Sequence, residues 1–330
     1  MKNYRKVREL EKRFILERIA STEKIEKLLT KTYKQALIEI ENEIDLASIT
    51  LSKNGEISRT EANSKVDKGN IDLFNKTLKK TDLSQETKKK LDSELRSFDV
   101  NTKTTKQTLF QKKIELIAIE TAETEDAILN KFIASETKAE IERQNTMRNL
   151  LIGLGIIGII NKSKPDIKII DASFQEKLER AITTPSKTTN EEISNAYIHG
   201  AISFSDRIWD NSKDFINAVN EYVRKSIRKS AHPNVWADKL KKYVRQEVDR
   251  ATYVAKRLMA TEIGNAQINI QFESLNINEF DSYIFICEPG ACPVCLPLDG
   301  QVFKVADAIQ GENAPLMHPW CRCSISASVK

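Results

Sequence analysis

Residues 104–148 read TTKQTLFQKKIELIAIETAETEDAILNKFIASETKAEIERQNTMR and contain neither glycine nor proline. Apolar residues recur along them at helical spacing, among them Leu109, Phe110, Ile114 and Leu129. A continuous helix of this length would be roughly 65 Å long at ~1.5 Å per residue. One such helix cannot bury its own apolar face, so the stretch predicts long helices that pack on one another or on a neighbouring subunit.

The composition extends this prediction to the rest of the chain. The 330 residues include only 10 Gly and 8 Pro, and 30% of them are charged. Collagen-like chains and all-β sandwiches use Gly or Pro far more often, so the composition argues against both. At about 100 to 200 residues per domain, the length allows two or three domains. The charged N-terminus lacks the apolar core of a secretory signal peptide, so we expect synthesis in a reducing cytoplasm.

Local signals mark the helix ends. An apolar stripe from Val7 to Ile44 predicts a long amphipathic helix or a helix pair, which ends at the turn Lys-Asn-Gly at 53–55. Ser58 and Glu61 have the spacing of a capping box, in which hydroxyl and carboxylate each accept one free N–H at the helix start. Pro233 suits the first turn of another helix. The pattern therefore predicts a mainly α fold.

The most apolar stretch of the chain is LLIGLGIIGII at 150–160. Eleven residues are too few to span a bilayer, which takes about 20. Gly153, Gly155 and Gly158 have the spacing of a dinucleotide-binding loop, but neither a preceding strand nor a βαβ period accompanies them, so we discard that interpretation. A buried core segment and a contact surface that is masked until assembly both stay open.

Charge is distributed unevenly in the C-terminal part. Residues 213–257 carry twelve basic and five acidic side chains, a net charge of +7, whereas residues 258–330 carry three and eight, a net charge of −5. The basic stripe could neutralise DNA phosphates, but a solvated helix face or a surface for an acidic partner would have the same composition. The predicted DNA- or partner-binding residues are Arg224, Lys225, Arg228, Lys229, Lys241, Lys242 and Arg245.

All five cysteines lie within residues 287–323, in two knuckles and one outlier. The knuckles are Cys292-Pro-Val-Cys295 and His318-Pro-Trp-Cys321-Arg-Cys323. We expect Cys287 to be a spare buried thiol. A CxxC turn presents two thiolates to one ion, and a second Cys/His pair completes the tetrahedron that zinc prefers. Reduced, unligated cysteines and disulfides in an extracellular particle are the alternatives. The predicted metal ligands are Cys292, Cys295 and His318, with Cys321 and Cys323 competing for the fourth position.

The knuckles belong to a predicted small α+β module. Residues 282–286 are β-prone, and Asp299-Gly300 between apolar residues predicts a tight hairpin turn. A module of about 50 residues has little core of its own, and structural zinc can contribute on the order of 10 kcal/mol to its folding. His199 and His232 lack the glutamate that a zinc deaminase needs, and no H-E-x-x-H motif occurs, so we do not predict an enzyme.

The C-terminal motifs resemble those of a known family. They are Cys292-Pro-x-Cys295-x-x-Leu298-Asp299-Gly300-x-x-Phe303, Pro315-x-x-His318-Pro319-x-Cys321-Arg322-Cys323, and the upstream Arg257-x-x-x-Thr261-Glu262 and Ser205-Asp206-Arg207-Ile208-Trp209. The pattern is similar to that of head morphogenesis proteins, also called minor head or minor capsid proteins, of tailed bacteriophages of the Mu-like type. The resemblance covers about residues 195 to 330, and Cys287 is not part of it.

The resemblance implies a non-enzymatic minor component of the procapsid and virion at the portal vertex. Such a protein assists head assembly and, in some relatives, DNA packaging or ejection. The implied partners are the portal protein, the major capsid or scaffolding protein and non-specific DNA, with no small-molecule substrate. The implied location is the interior of the phage head, after assembly in the host cytoplasm. The alternative is a zinc-containing DNA-binding protein or a metal-dependent nuclease, because a CxxC pair with a later His also occurs there.

Four segments are predicted along the chain. They are a long-helix N-terminal region at 1–148, an apolar segment and linker at 149–190, a helical and basic minor-head core at 191–280, and a Cys/His metal-binding module at 281–330.

Overall fold

The computed structural model describes residues 2–81, 83–85, 87, 100–157, 172–183, 204–229 and 231–328. The described chain is mainly helical, with a small strand-containing region at the C-terminus, and this confirms the predicted fold class. The helices are α1 (Lys2–Thr50), α2 (Arg59–Ala62), α3 (Lys68–Lys80), α4 (Lys106–Gly153), α5 (Ala172–Thr183), α6 (Phe204–Ile227) and α7 (Pro233–Ile277). The strands are β1 (Ser52–Lys53), β2 (Glu56–Ile57), β3 (Ser282–Ile286), β4 (Val302–Lys304) and β5 (Ser324–Ala327).

Helix ends follow the local signals, with one exception. Helix α1 is 49 residues long and ends just before a β1–β2 hairpin whose turn residues, Asn54 and Gly55, both have positive φ. Ser58 Oγ accepts the N–H of Glu61 at 3.3 Å, which confirms the first half of the capping box. The second half of the capping box, in which the Glu61 carboxylate accepts an N–H at the helix start, is wrong. The Glu61 carboxylate pairs with Lys106, and the Ser58 N–H donates to the Leu51 carbonyl at 2.9 Å.

The chain packs into two units. Unit 1 comprises the described parts of residues 1–26, 129–203 and 257–330, and unit 2 comprises those of 27–128 and 204–256. Helices α1, α4 and α7 each contribute one part to each unit. The four segments predicted from the sequence are continuous stretches of chain, whereas each unit combines stretches that are distant in sequence. The four segments stay a prediction.

The core of unit 1 forms where its helices meet a three-stranded antiparallel sheet of order β4-β3-β5. Central strand β3 is almost completely buried because both of its faces are packed: Tyr283 and Phe285 belong to the main core, and Ile284 and Ile286 pack with Ile15. Phe272 of α7 meets Tyr283 of β3 edge to face, with ring centroids 5.3 Å apart. Leu150, Leu154, Ile156 and Ile157 pack against the same core, as the core interpretation of the apolar stretch predicts. Residues 158–160 lie outside the described residues.

A buried polar network also holds unit 1 together. The Arg18 guanidinium forms two parallel hydrogen bonds with Glu140, of 2.8 and 2.7 Å, and a third of 2.7 Å with Glu11. Ser324 of β5 donates to Glu11 at 2.7 Å, and Arg143 lies 3.1 Å from Glu140. The network thereby ties α1, α4 and β5 to one another.

Unit 2 has a mostly apolar interior. Trp236 is buried beside Phe110 and donates from Nε1 to Ser226 at 3.0 Å. One buried acidic residue of this unit is Glu125, whose carboxylate accepts a 2.5 Å hydrogen bond from the Tyr33 hydroxyl. Burial raises the pKa of Glu125 to about 7. Among the described residues, no helix is both long enough and apolar enough to cross a membrane.

Candidate metal centre

The sheet of unit 1 brings the two predicted knuckles together. The first knuckle lies in the connection from β3 to β4, and the second directly precedes β5. Ile286, the last residue of β3, pairs with Ser324, the first residue of β5. The same register places Cys287, just after β3, beside Cys323, just before β5. Pairing between distant strands therefore collects cysteines that are far apart in sequence.

The sequence predicts a tight hairpin at Asp299-Gly300. The turn is present, but it does not connect two paired strands. The residues before it, Leu296–Leu298, form a turn of 3-10 helix instead of a strand, so the whole of 287–301 connects β3 to β4. Gly300 has φ +80° and donates its N–H to the Phe285 carbonyl at 2.8 Å. Asp299 accepts the backbone N–H of Cys287 at 2.9 Å and pairs with Arg8 of α1. Because the turn is bonded to Phe285 and Cys287, it fixes the start of the β3–β4 connection.

Three predicted ligands form a compact donor group. The distance from His318 Nε2 to Cys292 Sγ is 3.1 Å and to Cys295 Sγ 3.4 Å, and the two sulfurs lie 3.6 Å apart. Zinc–sulfur bonds of ~2.3 Å and zinc–nitrogen bonds of ~2.0 Å place tetrahedral donors about 3.8 Å (S–S) and about 3.5 Å (S–N) apart. The observed spacings are close to these values. The three donors therefore fit one face of a tetrahedral metal site.

His318 has the tautomer that a metal ligand needs. Its Nδ1 lies 2.9 Å from the carbonyl oxygen of Pro319. A carbonyl oxygen only accepts hydrogen bonds, so Nδ1 carries the proton and Nε2 directs its lone pair at the sulfurs. Metal-bound histidines are oriented by the same kind of bond to a carbonyl or carboxylate. The ring is thus held ready for an ion on the Nε2 side.

A second donor group contains Cys295, Cys321 and Cys323, all buried, with ligand atoms within 4.8 Å of one another. The Cys295 and Cys321 sulfurs lie 3.8 Å apart. A hydrogen bond from the Cys323 thiol lowers the pKa of Cys321 to about 6, and the same bond raises the pKa of Cys323. The cysteines of both groups are free thiols, and their arrangement can hold a metal ion.

Cys287 is buried, as expected of a spare thiol, but it lies against the cluster. Its Sγ is 3.1 Å from the carbonyl oxygen of Cys295, to which it donates. Burial raises the pKa of Cys287 to about 11. Cys287 thus belongs to the same packed group of sulfurs.

The predicted basic contact residues all lie in unit 2, on α6, just after it, and on α7. Six of the seven are exposed, and Lys241 is half-buried. Three of them form ion pairs within the unit. Lys241 pairs with Asp45 at 2.7 Å, Arg245 with Glu41 at 2.6 Å, and Lys225 with Glu221 at 2.5 Å. The positive charge of this surface is therefore partly neutralised by the protein itself.

The polar network of unit 1 could not be predicted from the sequence. Glu11 and Arg18 lie in a helix rich in Lys and Glu, where such residues usually face solvent. Burial raises the pKa of Glu11, and its Oε2 has no hydrogen-bond partner. A seven-residue spacing on one helix face was the only available hint, and it does not distinguish a buried pair from an exposed one.

A comparison with protein families supports the resemblance. A family model described as Phage Mu protein F like protein, a head morphogenesis family, matches residues 217–326. The match includes both knuckles, all of α7 and all but the last residue of the three-stranded sheet, and confirms the resemblance over those residues. Ser205–Trp209 lie outside it. Neither a curated protein nor a solved structure matches the chain. The match suggests a head morphogenesis protein with a structural role in the phage head.

Proposed function

We propose that the protein is a minor head component of a tailed bacteriophage, of the Mu-like type. In this proposal it resides in the procapsid and virion near the portal vertex, assists head assembly, and contributes to DNA packaging or ejection. The observation that carries the proposal is the family match at residues 217–326, because it coincides with the knuckles and with the helix that leads to them. The protein would be assembled in the host cytoplasm and finally lie inside the head.

We also infer that the knuckles hold structural zinc. Cys292, Cys295 and His318 would supply three ligands, and Cys321, whose sulfur lies 3.8 Å from that of Cys295, would supply the fourth. Thiolate and imidazole donors favour zinc over magnesium or calcium, which take oxygen ligands. When bound, the ion would act as a cross-link between the β3–β4 connection and the segment before β5. The proposed role is stability, with Cys323 donating its hydrogen bond to the Cys321 sulfur.

The proposed partners are the portal protein and the major capsid or scaffolding protein, with no small-molecule substrate. Non-specific DNA is a further proposed partner of the basic surface of unit 2. Arg224, Arg228, Lys229 and Lys242 are the exposed cations that we expect to contribute most. Lys225, Lys241 and Arg245 would contribute less, because each already has an acidic neighbour.

The alternative function is a zinc-containing DNA-binding protein or a metal-dependent nuclease. Nucleases that use Mg²⁺ hold the ion with carboxylates and substrate phosphates. In the part of the chain that the structure describes, one ligand group of three residues contains two cysteines and one histidine, and the other contains cysteines alone. These sulfur-rich groups favour a structural ion, and we therefore favour the head component over the nuclease.

Purified procapsids and virions test the proposal. Quantitative mass spectrometry should detect the protein in both at a few copies per particle, and affinity-tagged portal protein should co-purify it. Heads assembled without portal protein are the control, and they should contain less of it. Absence from both particles would exclude the assembly role. Cleavage of plasmid DNA by the pure chain with added divalent metal would instead support the nuclease.

A further inference from the structure

Two cysteines of unit 1 have no part in the zinc site proposed above. A four-coordinate ion held by Cys292, Cys295, His318 and Cys321 leaves Cys287 and Cys323 as free thiols. Both are buried, with 5% and 4% of their surface exposed. The strand register places them directly opposite each other, one position beyond the last ladder pair of β3 and β5.

The hydrogen bonds of the sheet show which kind of pair they form. Ser328 donates its N–H to the Ser282 carbonyl at 3.0 Å, so this pair is a hydrogen-bonded one. Pairs of the two kinds alternate along an antiparallel ladder, which makes the pair at Phe285 a non-hydrogen-bonded one. The backbone of Phe285 indeed bonds to Gln301 and Gly300, on the β4 side. By the same alternation, Cys287 and Cys323 form a non-hydrogen-bonded pair.

This position has the geometry that a disulfide needs. The Cα atoms of a non-hydrogen-bonded antiparallel pair lie about 4.5 Å apart, and those of disulfides lie about 4.4 to 6.8 Å apart. Both side chains also point to the same face of the sheet, because Cys287 and Cys323 belong to the same core cluster as Phe285 and Ile325. The Cys287 thiol already shares a hydrogen bond with Cys323. No movement of the strands is required to join the two sulfurs.

We propose that Cys287 and Cys323 form a disulfide between β3 and β5 when the protein meets a small-molecule disulfide, while the proposed zinc ligands stay bound. The Cys323 thiolate attacks one sulfur of the reagent and displaces one small thiol. The Cys287 thiolate then attacks Cys323 in this mixed disulfide and displaces a second small thiol. The two cysteines thereby lose two electrons and two protons, which the released thiols carry away.

Cys323 is the thiol that a small oxidant would reach first. With Arg18, Gln267 and Cys321, it lines a cleft of about 400 Å³ among α1, α7 and the second knuckle. Cys287 does not line this cleft, and its thiol donates to the Cys295 carbonyl oxygen at 3.1 Å. Disulfides persist in oxidising surroundings and are rare in the cytoplasm, so the bond would form after the protein has left the cell. It rests on the strand register, and therefore does not depend on the proposed role in the phage head.

Stepwise oxidation of the full chain tests the pair. The protein is purified under reducing conditions, freed of reductant and titrated with oxidised β-mercaptoethanol. Thiols counted after denaturation with a chelator should fall from five to three, and the zinc content before denaturation should not change. Digestion without reduction, by trypsin and by a protease that cleaves after glutamate, identifies the bond by mass spectrometry. Glu288 separates Cys287 from the first knuckle, and Arg322 separates Cys321 from Cys323.

The control is Cys287→Ser, which should keep all of its remaining thiols at the oxidant concentration that converts the unaltered chain. A first disulfide between any other two cysteines, within one chain or between chains, would overturn the proposal. Five thiols throughout the titration would overturn it as well. If the bond forms as proposed in a chain that holds no zinc, the zinc proposal alone fails. The role in head assembly is decided separately, by the procapsid experiment.

Discussion

Units 1 and 2 are both built from parts of α1, α4 and α7, yet their interiors differ. Unit 1 buries charged groups and thiols: Arg18 lies among carboxylates, and all five cysteines lie in or beside the knuckles. Unit 2 buries an almost wholly apolar cluster and keeps most of its ion pairs near the surface. Apolar cores tolerate substitution if volume is kept, whereas a buried polar network fails when one member is removed. We therefore expect unit 1 to depend on specific residues more than unit 2.

The largest expected effect is loss of the metal site. The double variant Cys292→Ser/Cys295→Ser removes two ligands of the proposed zinc ion, and metal binding of this kind contributes on the order of 10 kcal/mol to small folds. We expect the C-terminal sheet to unfold while most helical signal in far-ultraviolet circular dichroism remains. Limited proteolysis followed by mass spectrometry should locate the new cleavage sites after residue 281.

The conservative control for that variant is His232→Ala, whose proteolysis pattern should match the unaltered chain. A double variant that resists protease as well as the unaltered chain would show that the knuckles fold without the ion.

The second effect distinguishes a buried ion pair from an exposed one. Arg18→Met leaves Glu11 buried without its cation and leaves Glu140 with Arg143 alone, and removing one partner of a buried ion pair costs about 3 to 5 kcal/mol. The matched change in unit 2 is Arg245→Met, because the Arg245 side chain is 57% exposed and pairs with Glu41 at the surface. That change should cost less than about 1 kcal/mol. Urea unfolding of both variants measures the difference.

A third variant shows whether the Arg18 cost comes from the stranded carboxylates. Arg18→Met combined with Glu140→Gln removes one of the two buried negative charges, so it should be more stable than Arg18→Met alone. Equal stabilities for Arg18→Met and Arg245→Met would refute the contrast between the units.

Unit 2 has a buried carboxyl group, on Glu125, and we expect it to make the free energy of unfolding depend on pH. Burial raises the pKa of Glu125 to about 7, although the Tyr33 hydrogen bond favours the ionised form. The folded state therefore binds a proton more tightly than the unfolded state, whose carboxyl has an ordinary pKa of 4.5. Its stabilising contribution is complete below the unfolded pKa and is lost as the pH rises through about 7. The free energy of unfolding should fall by up to about 3 kcal/mol over this window.

The test compares Glu125→Gln with the unaltered chain from pH 5 to pH 9. An amide side chain at this position cannot ionise, so the variant should lose less stability with rising pH. Glu221→Gln, at an exposed ion pair on α6, is the control and should follow the unaltered profile. Parallel profiles for the chain and for Glu125→Gln would show that Glu125 does not set the pH dependence.

Much of the architecture could be predicted because its causes are local. The scarcity of Gly and Pro indicates long helices. The Asn-Gly turn follows the end of α1, and Pro233 is the first residue of α7. The knuckle motifs also identified the residues that the sheet brings together, since ligand spacing is a short-range pattern.

The remaining features depend on partners far away in the sequence. Arg18 meets Glu140 across 122 positions, and periodicity does not identify which charged residues of a helix will be enclosed. Glu61 has capping-box spacing, but its carboxylate forms an ion pair with Lys106 instead of capping the helix. The Asp299-Gly300 turn exists, yet β3 pairs with the residues after it while those before it form a 3-10 helix. In each case a local signal was correct and a distant contact changed its outcome.

The smallest expected effect on stability is at the basic surface, where function rather than folding should change. The double variant Arg228→Gln/Lys229→Gln removes two exposed cations of unit 2, and each phosphate contact contributes about 0.9 to the slope of log binding constant against log salt. The slope for double-stranded DNA should therefore fall by up to about 2. Lys241→Gln/Arg245→Gln removes the same charge from residues already paired with Asp45 and Glu41, so it should lower the slope less. Fluorescence anisotropy at several salt concentrations measures both. Equal reductions in slope would mean that the ion pairs of Lys241 and Arg245 open when DNA binds. An unchanged slope in both variants would show that DNA, or the partner, binds another surface.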